Sequence, residues 1–202
     1  MSNPANNKSQ LREQLRSRRR LLAAEERHAA ASAISRQANE LPTWNASQHI
    51  AIYLPADGEI DTGPLTRSCR EQAKSLYLPI VDQDRKLEFA LWIEGDELHN
   101  NRFGIPEPGA NAKRVPPHQL NIIFMPLVGW DPSGNRLGMG GGFYDRALAG
   151  IEGPIKVGLA YDCQRTGRIS QDPWDVPLDF VLTESALNHC ETARAASDVN
   201  PG

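Results

Sequence analysis

Hydrophobic residues fall in short runs separated by polar, turn-forming stretches, a pattern typical of a chain that alternates strands and helices. The segment 8–40 differs, because Leu11, Leu15 and Leu22 form a loose apolar stripe among Arg, Gln and Glu and predict one long N-terminal helix. The remaining pattern predicts strands over 50–54, 76–81, 87–92, 121–128, 155–160 and 178–183, helices over 63–74 and 143–149, a long loop over 95–118 and a weak helix after Glu184.

This order of elements predicts the fold class α/β: a single three-layer domain with a mainly parallel sheet flanked by helices, preceded by the long N-terminal helix. The length of 202 residues suits one domain. We assign residues 8–190 to it and expect residues 1–7 and 191–202 to be flexible ends. Ligands of such sheets bind beyond the carboxyl ends of the strands, here in the loops after Leu54 and Val128.

The composition argues against a membrane-spanning, a secreted or a zinc-binding protein. The chain is 40% hydrophobic, enough for a core, yet it has no apolar run near the roughly 20 residues of a membrane-spanning helix. Its polar start does not resemble a secretory signal. The three cysteines, Cys69, Cys163 and Cys190, lie far apart and lack zinc-binding spacing, which fits a reducing compartment. We therefore expect a cytoplasmic protein without a membrane partner.

Charge is distributed unevenly along the chain. The net charge is −3, which argues against a dedicated nucleic-acid binder, but residues 1–36 hold eight basic and three acidic residues, a local net charge of +5. Such a segment suits an anionic ligand or a docking surface. On charge alone, a solvated helix face is the simpler interpretation.

The most specific chemistry lies in the glycine-rich run Arg136–Arg146. Four glycines in five positions let the backbone approach a ligand closely, and the helix predicted after them would point free N–H groups at it. Arg136 can grip two phosphate oxygens, and Asp145 can hold a magnesium ion that bridges phosphates. The run matches neither GxxxxGK[ST] nor GxGxxG. It therefore predicts a nucleoside triphosphate site that differs from both of these common phosphate-binding motifs.

The run Arg136–Arg146 resembles the signature of the 5-formyltetrahydrofolate cyclo-ligases, also called 5,10-methenyltetrahydrofolate synthetases. The resemblance extends over nearly the whole chain. Its other matching stretches, in chain order, are Lys8–Arg12, Leu54 with Asp57–Thr62, Pro126–Asp131, Gly158–Gln164 and Trp174–Asp179.

The resemblance implies an ATP- and Mg²⁺-dependent reaction. ATP would phosphorylate the formyl oxygen of 5-formyltetrahydrofolate, N10 would attack and close the ring, and 5,10-methenyltetrahydrofolate, ADP and phosphate would be released. Phosphoryl transfer needs alignment and charge neutralisation more than a nucleophilic side chain. The partners implied are these small-molecule substrates, with no nucleic acid and no membrane, and we expect a monomer.

The resemblance also implies roles for individual residues. Arg136 would be catalytic, stabilising the transferred phosphoryl group, and Asp145 and Asp179 would hold Mg²⁺. The ATP-binding set is Lys8, Ser9, Gln10, Leu11, Arg12, Arg136, Leu137, Gly138, Met139, Gly140, Gly141, Gly142, Phe143 and Tyr144. The substrate-binding set is Leu54, Glu59, Met139, Gly140, Gly141, Gly142 and Phe143.

One position departs from the family pattern, since Gly141 stands where some members carry Lys. Its charge is then expected from Lys8, Arg12 or Arg146. Trp174 is expected to pack as core or cover rather than to stack on a base.

Two other functions remain open at this point. An α/β enzyme acting on a sugar phosphate or CoA ester would also use a glycine loop, but it would leave Lys8 and Arg12 without a role. A nucleic-acid-binding module would use the arginines of residues 16–20 and would bind any polyanion with steep salt dependence.

Overall fold

The computed structural model describes residues 4–81, 87–102 and 104–191, with the backbone alone for residues 4–7. The helices are α1 (Pro4–Arg20), α2 (Ala24–Gln37), α3 (Gly63–Glu71) and α4 (Phe143–Leu148). The strands are β1 (His49–Ala51), β2 (Ser75–Val81), β3 (Leu87–Leu91), β4 (Leu98–Asn100), β5 (Pro106–Pro108), β6 (Arg114–Val115), β7 (Ile122–Pro126), β8 (Gly129–Trp130), β9 (Arg136–Leu137), β10 (Ile155–Leu159), β11 (Phe180–Leu182) and β12 (Leu187–His189).

Eight strands form one mixed sheet in the order β12-β11-β10-β7-β1-β2-β3-β6. The five strands from β11 to β2 run parallel. At the edges, β12 pairs antiparallel with β11, β3 pairs antiparallel with β2, and β6 pairs antiparallel with β3. The pairs β4–β5 and β8–β9 form separate antiparallel hairpins. This arrangement confirms the predicted α/β domain with a mainly parallel sheet.

Both faces of the sheet are covered by packed residues. Successive residues of a strand point to opposite faces, so each strand contributes to both cores. In the central strand β7, Phe124 packs into the core that includes α2 and α3, whereas Met125 packs into the core that includes Leu148 of α4. These strands are buried on both faces, which explains why they read as continuous apolar runs rather than alternating ones.

The carboxyl ends of the parallel strands bring three loops to one edge of the sheet: residues 52–62 after β1, residues 127–142 after β7 and residues 160–164 after β10. Helix α1 lies at this edge. Its Leu15 is fully buried in a small core with Val128 and Leu137.

The N-terminal helical segment is two helices rather than one. The chain leaves α1 at Leu21, which is largely exposed, and α2 begins after Ala23, whose backbone is extended. The Glu26 carboxylate accepts the N–H of Ala23 at 2.7 Å, which caps the new helix. The apolar spacing continues across this break, so the break was not predicted.

Two other predictions about secondary structure were wrong. Residues 95–118 contain the short strands β4, β5 and β6 instead of one long loop, and β12 replaces the weak helix after Glu184. Of the ends expected to be flexible, residues 1–3 and 192–202 lie outside the described residues, and residues 4–7 are part of α1. Within the described residues, no helix combines the length and apolarity required to cross a membrane.

Candidate active site

A hairpin connects β7 to the glycine loop and positions the loop at the carboxyl ends of the parallel strands. Strands β8 and β9 pair directly after β7, and the buried Asp131 at their turn accepts the N–H groups of Ser133 and Asn135 at 3.0 and 3.1 Å. The other carboxylate oxygen of Asp131 accepts the N–H of Ile169 at 2.8 Å. These bonds fix the hairpin and therefore the point where the loop begins. Leu137, an expected ATP contact, is buried in the core beneath α1.

The loop 138–142 has an open backbone. Gly140 (φ 96°) and Gly142 (φ 61°) adopt left-handed conformations that favour glycine. Met139, Gly140 and Gly141 are exposed. No acceptor within 4–81, 87–102 or 104–191 receives a hydrogen bond from the N–H groups of residues 138–142. A run of N–H donors without protein acceptors is suited to an anion such as a phosphate.

Arg136 and Asp145, at the two ends of this run, contact each other. Nη2 of Arg136 lies 2.5 Å from Oδ1 of Asp145, and its Nη1 donates to the carbonyl of Val176. The N–H of Val176 donates to the same Asp145 oxygen at 3.1 Å. Burial lowers the pKa of Arg136, and the negative charge of Asp145 opposes this shift. The pair therefore keeps a buried cation next to the glycine loop.

Two of the five expected contacts in Lys8–Arg12 face the site. Lys8 forms ion pairs with Asp172 (2.7 Å) and Asp175 (3.5 Å), and Nε of Arg12 donates to the carbonyl of Gly138 at 2.8 Å. Ser9 and Gln10 are exposed, and Leu11 packs against the small core beneath α1. Arg12 thus brings positive charge to the glycine loop, and Lys8 brings it to the carboxylates of the neighbouring segment 172–175.

The residues expected to bind folate lie after β1. Ala56 to Glu59 form a tight turn: Asp57 and Gly58 both have positive φ, and the N–H of Glu59 donates to the carbonyl of Ala56 at 2.9 Å. This is the geometry of a type I′ turn, for which Asp-Gly is a favoured pair. The Glu59 carboxylate accepts the N–H of Ala56 at 3.0 Å. Leu54 is half-buried and packs against the main core.

Glu59 and the glycine run meet at Tyr144. Burial raises the pKa of the Glu59 carboxyl. Burial also raises the pKa of Tyr144, and the charge of Glu59 raises it further, so the two side chains lie within electrostatic range. Tyr161, after β10, donates to the carbonyl of Glu59 at 3.4 Å. The structure thus brings the ends of three parallel strands together around one carboxylate.

Comparison with known proteins identifies this arrangement. The model of the 5-formyltetrahydrofolate cyclo-ligase family matches residues 4–184. The chain belongs to this family. A 5-formyltetrahydrofolate cyclo-ligase of Haemophilus influenzae is 40% identical over 180 residues, which cover 87% of this chain and 96% of the relative. One from Escherichia coli K12 is 35% identical over 178 residues, covering 86% and 98%.

Solved structures with the same fold carry the alternative name. A 5,10-methenyltetrahydrofolate synthetase from Aquifex aeolicus superimposes with a TM-score of 0.80 at 34% identity, covering 93% of this chain and 94% of its own. One from Mycoplasma pneumoniae superimposes with a TM-score of 0.72 at 25% identity, covering 88% and 98%. The sequence resemblance to the cyclo-ligase family is therefore confirmed.

The two carboxylates expected to hold Mg²⁺ have different surroundings. Oδ2 of Asp145 accepts no hydrogen bond from a described residue, so one oxygen can face a cation beside bound phosphates. Asp179 lies at the amino end of β11, where its Oδ2 accepts the backbone N–H of Lys156 at 2.8 Å and pairs with that residue's Nζ at 3.2 Å. No contact joins Asp145 and Asp179, and the described residues hold no cluster of three potential metal ligands. The donor set at Asp145 suits a Mg²⁺ shared with phosphates and water.

Two guanidinium groups lie beside the glycines of the loop. Arg12 lies near Gly140, and Arg146 lies near Gly142 with its guanidinium 5.3 Å above the ring of Phe143. Of the three cations considered in place of the loop lysine, these two are next to the loop, whereas Lys8 pairs with carboxylates.

Trp174 was interpreted wrongly as core or cover. Its side chain is 67% exposed, and it lines an open cleft of about 590 Å³ with Lys156, Asp175 and Asp179. The same loop supplies Asp172 and Asp175, the partners of Lys8. Nothing in the local pattern of residues 172–179 distinguishes an exposed from a buried tryptophan, because the distinction depends on the hairpin and α1 packed beside it.

Proposed function

We propose that this protein converts 5-formyltetrahydrofolate into 5,10-methenyltetrahydrofolate with ATP and Mg²⁺, releasing ADP and phosphate. Membership of the cyclo-ligase family supports the overall conversion. The observation that carries the proposal is that helix α1 contacts both halves at one edge of the sheet. Arg19 donates to Asp57, in the turn of Glu59, which is expected at the folate, and Arg12 donates to Gly138, in the loop expected at the triphosphate.

The nucleotide half neutralises and aligns phosphates. The N–H groups of residues 138–142 would donate to phosphate oxygens, and Lys8, Arg12 and Arg136 would supply positive charge around them. Arg136 is held by Asp145 and Val176, so its guanidinium needs little reorganisation as charge develops on the transferred group. Mg²⁺, when bound, would neutralise phosphate charge, with Asp145 as its protein ligand.

The folate half orients the formyl group toward the nucleotide. Glu59 is fixed by its bond to Ala56, and its remaining oxygen would accept an N–H of the pteridine. Leu54 would cover the apolar side of the ring. Phe143 and Tyr144 directly follow the glycine loop, are half-buried and would exclude water from the reacting oxygen.

The test uses the purified chain, 5-formyltetrahydrofolate and Mg²⁺-ATP, followed by the near-ultraviolet absorbance of the methenyl product. We expect a rise that requires both ATP and Mg²⁺. Arg136→Ala should lower kcat by about 10²–10³-fold, the usual effect of losing one preorganised donor. Arg114→Ala is the matched control, since Arg114 is exposed and pairs with Glu88 at the sheet edge. Absence of a rise with folded protein would contradict the proposal.

The alternatives have less support. Lys8 and Arg12 would have no role in an enzyme for a sugar phosphate or CoA ester, yet Arg12 contacts the glycine loop and Lys8 pairs with Asp172 and Asp175 in the neighbouring segment. Three of the four arginines that a nucleic-acid module would use, Arg16, Arg19 and Arg20, contact Asp57, and only Arg18 is exposed without a contact to it. We also propose that the protein acts as a monomer in the cytoplasm. Size-exclusion chromatography with light scattering tests the first of these points.

A further inference from the structure

Helix α1 carries a row of basic side chains along one face. Lys8, Arg12, Arg16 and Arg19 follow one another at spacings of four, four and three residues, which places them on one stripe of an α-helix. Arg12 contacts Gly138 of the glycine loop, and Lys8 pairs with Asp172 and Asp175 in the segment before Val176. The last two contact Asp57, in the turn that carries the expected folate ligand.

Asp57 is the centre of an arginine cluster. Its Oδ2 accepts Nε of Arg16 at 2.7 Å and Nη2 of Arg19 at 3.0 Å, and its Oδ1 accepts both Nε and Nη2 of Arg20. Burial alone would raise the pKa of Asp57, but the hydrogen bonds from Arg20 and Arg16 outweigh it and lower the pKa to about 2. The carboxylate is therefore ionised at any physiological pH.

Arg19 connects this cluster to the sheet. Its side chain has 0% exposure, and besides the Asp57 carboxylate it donates to the backbone carbonyls of Asp57 at 3.0 Å and Leu127 at 3.2 Å. Leu127 is the first residue after β7. Without the Asp57 charge, Arg19 would be a buried cation without an ion pair, with hydrogen bonds to two backbone carbonyls, a state that is strongly destabilising. The helix would then have to move to hydrate it.

Such a movement would reach both halves of the site. Asp57 is two residues from Glu59 in the same tight turn, so the cluster holds that turn against α1. Lys8 and Arg12 belong to the same helix, and Lys8 lies about 16 Å along its axis from Arg19, given a rise of 1.5 Å per residue. A shift at one end of a rigid helix displaces the cations at the other end.

We propose that Asp57 is a positioning residue for both substrates: through its arginine cluster on α1 it fixes the turn that carries Glu59 and also the helix that carries Lys8 and Arg12. This inference rests on the proposed function. It explains why one row of basic residues on α1 is divided between an expected nucleotide site and a single half-buried carboxylate.

The test is Asp57→Asn, which keeps the shape and removes the charge. We expect KM for ATP and KM for 5-formyltetrahydrofolate each to rise by about ten- to hundredfold, since small displacements of binding groups have effects of that size. Hydrogen exchange of the amides of residues 8–12 should become faster in the absence of any ligand. Glu88→Gln is the matched control, another carboxylate paired with an arginine at 2.7 Å, and should change neither KM.

A double-mutant cycle isolates the cluster. Arg16 has Asp57 as its only ion-pair partner among the described residues, so Arg16→Gln should raise both KM values less than Asp57→Asn, and the double variant should add little to the latter. If Asp57→Asn fails to fold, Arg16→Gln and Asp57→Glu give the same readouts.

Two outcomes separate the inference from the proposed function. A rise in KM for the folate alone, with KM for ATP and exchange at residues 8–12 unchanged, would overturn the inference and leave Asp57 as a local part of the turn. A wild-type protein without turnover would overturn the proposed function, while the exchange measurement would still decide whether Asp57 holds the far end of α1.

Discussion

The two halves of the candidate site are constructed in opposite ways. In the turn around Glu59, side chains are satisfied: the Glu59 carboxylate caps its own turn, and three arginines neutralise Asp57. In the loop 138–142, the backbone is exposed and its N–H groups have no acceptor among the described residues. One half is held by charges that the protein supplies, and the other offers donors for charge that a ligand brings.

This difference between the turn and the loop predicts how each of them contributes to ligand affinity. A turn that is already fixed loses little conformational entropy when a rigid bicyclic ring binds, so its affinity depends on pairing and burial. An exposed glycine loop gains its hydrogen bonds only when phosphates arrive, and each ordered glycine loses backbone freedom at that step. Substitutions in the turn should therefore act through charge, whereas substitutions in the loop should act through backbone geometry.

The largest effect is expected at the pair that closes the nucleotide half. Asp145→Asn removes the partner of the buried Arg136 and the proposed magnesium ligand together, so kcat/KM should fall by about 10²–10³-fold. Turnover measured against Mg²⁺ concentration should show a higher requirement for the metal.

The variant Asp179→Asn tests whether Asp179 binds Mg²⁺ together with Asp145. Because Asp179 pairs with Lys156 at the amino end of the sheet, we expect it to shift the Mg²⁺ requirement less than Asp145→Asn. Equal shifts in the two variants would show that both carboxylates contact the metal, and an unchanged requirement in Asp145→Asn would remove Asp145 from the metal site.

The next effect tests charge in the folate half. Glu59→Gln keeps an acceptor for Ala56 and removes the negative charge, so kcat/KM for the folate should fall by about 10–100-fold, the range for a hydrogen bond to a charged group. Turnover at saturating ATP and varied folate measures it. An unchanged KM and kcat would exclude Glu59 from the folate site.

The same variant should be more stable than the wild type at neutral pH. Burial raises the pKa of Glu59, so the folded state binds this proton more tightly than the unfolded chain does. The stability that results is complete below the unfolded pKa and declines as pH rises through the folded one. Thermal unfolding should therefore give a higher Tm for Glu59→Gln near pH 7.5, and the difference should close in acid, below the usual glutamate pKa of about 4.3.

Features that are encoded in one contiguous stretch of the chain were predicted correctly from the sequence. The strand β7 and its neighbours were predicted because parallel strands buried on both faces are continuous apolar runs. The edge strand β12 was not, since three residues of mixed polarity carry no periodic signal. The glycine loop was found because its glycines and flanking charges are contiguous in the chain.

The contacts that were missed join distant parts of the chain. Asp57 lies about forty residues from its three arginines, and Val176 lies 40 residues from Arg136. Such partners are chosen by tertiary packing, and each of them has an ordinary local context. The acidic residue of a Pro-Ala-Asp-Gly turn resembles any turn residue until helix α1 is placed beside it.

The smallest effect tests backbone geometry in the loop. Gly140→Ala forces a side chain into a left-handed conformation (φ 96°) at an open position near Arg12, which costs about 1–2 kcal/mol. If the loop must hold this shape to donate to phosphates, KM for ATP should rise by about tenfold, as a conversion of that energy. KM for the folate should change less, because the turn around Glu59 does not depend on the loop.

Gly150→Ala is the control for strain alone. Gly150 also has positive φ (68°) with open space around it, but it follows α4 outside the loop. Both variants should lose similar stability in urea, and only Gly140→Ala should weaken ATP binding. If both raise KM for ATP equally, the effect comes from general destabilisation. The contrast between a half governed by charge and a half governed by backbone shape would then not hold.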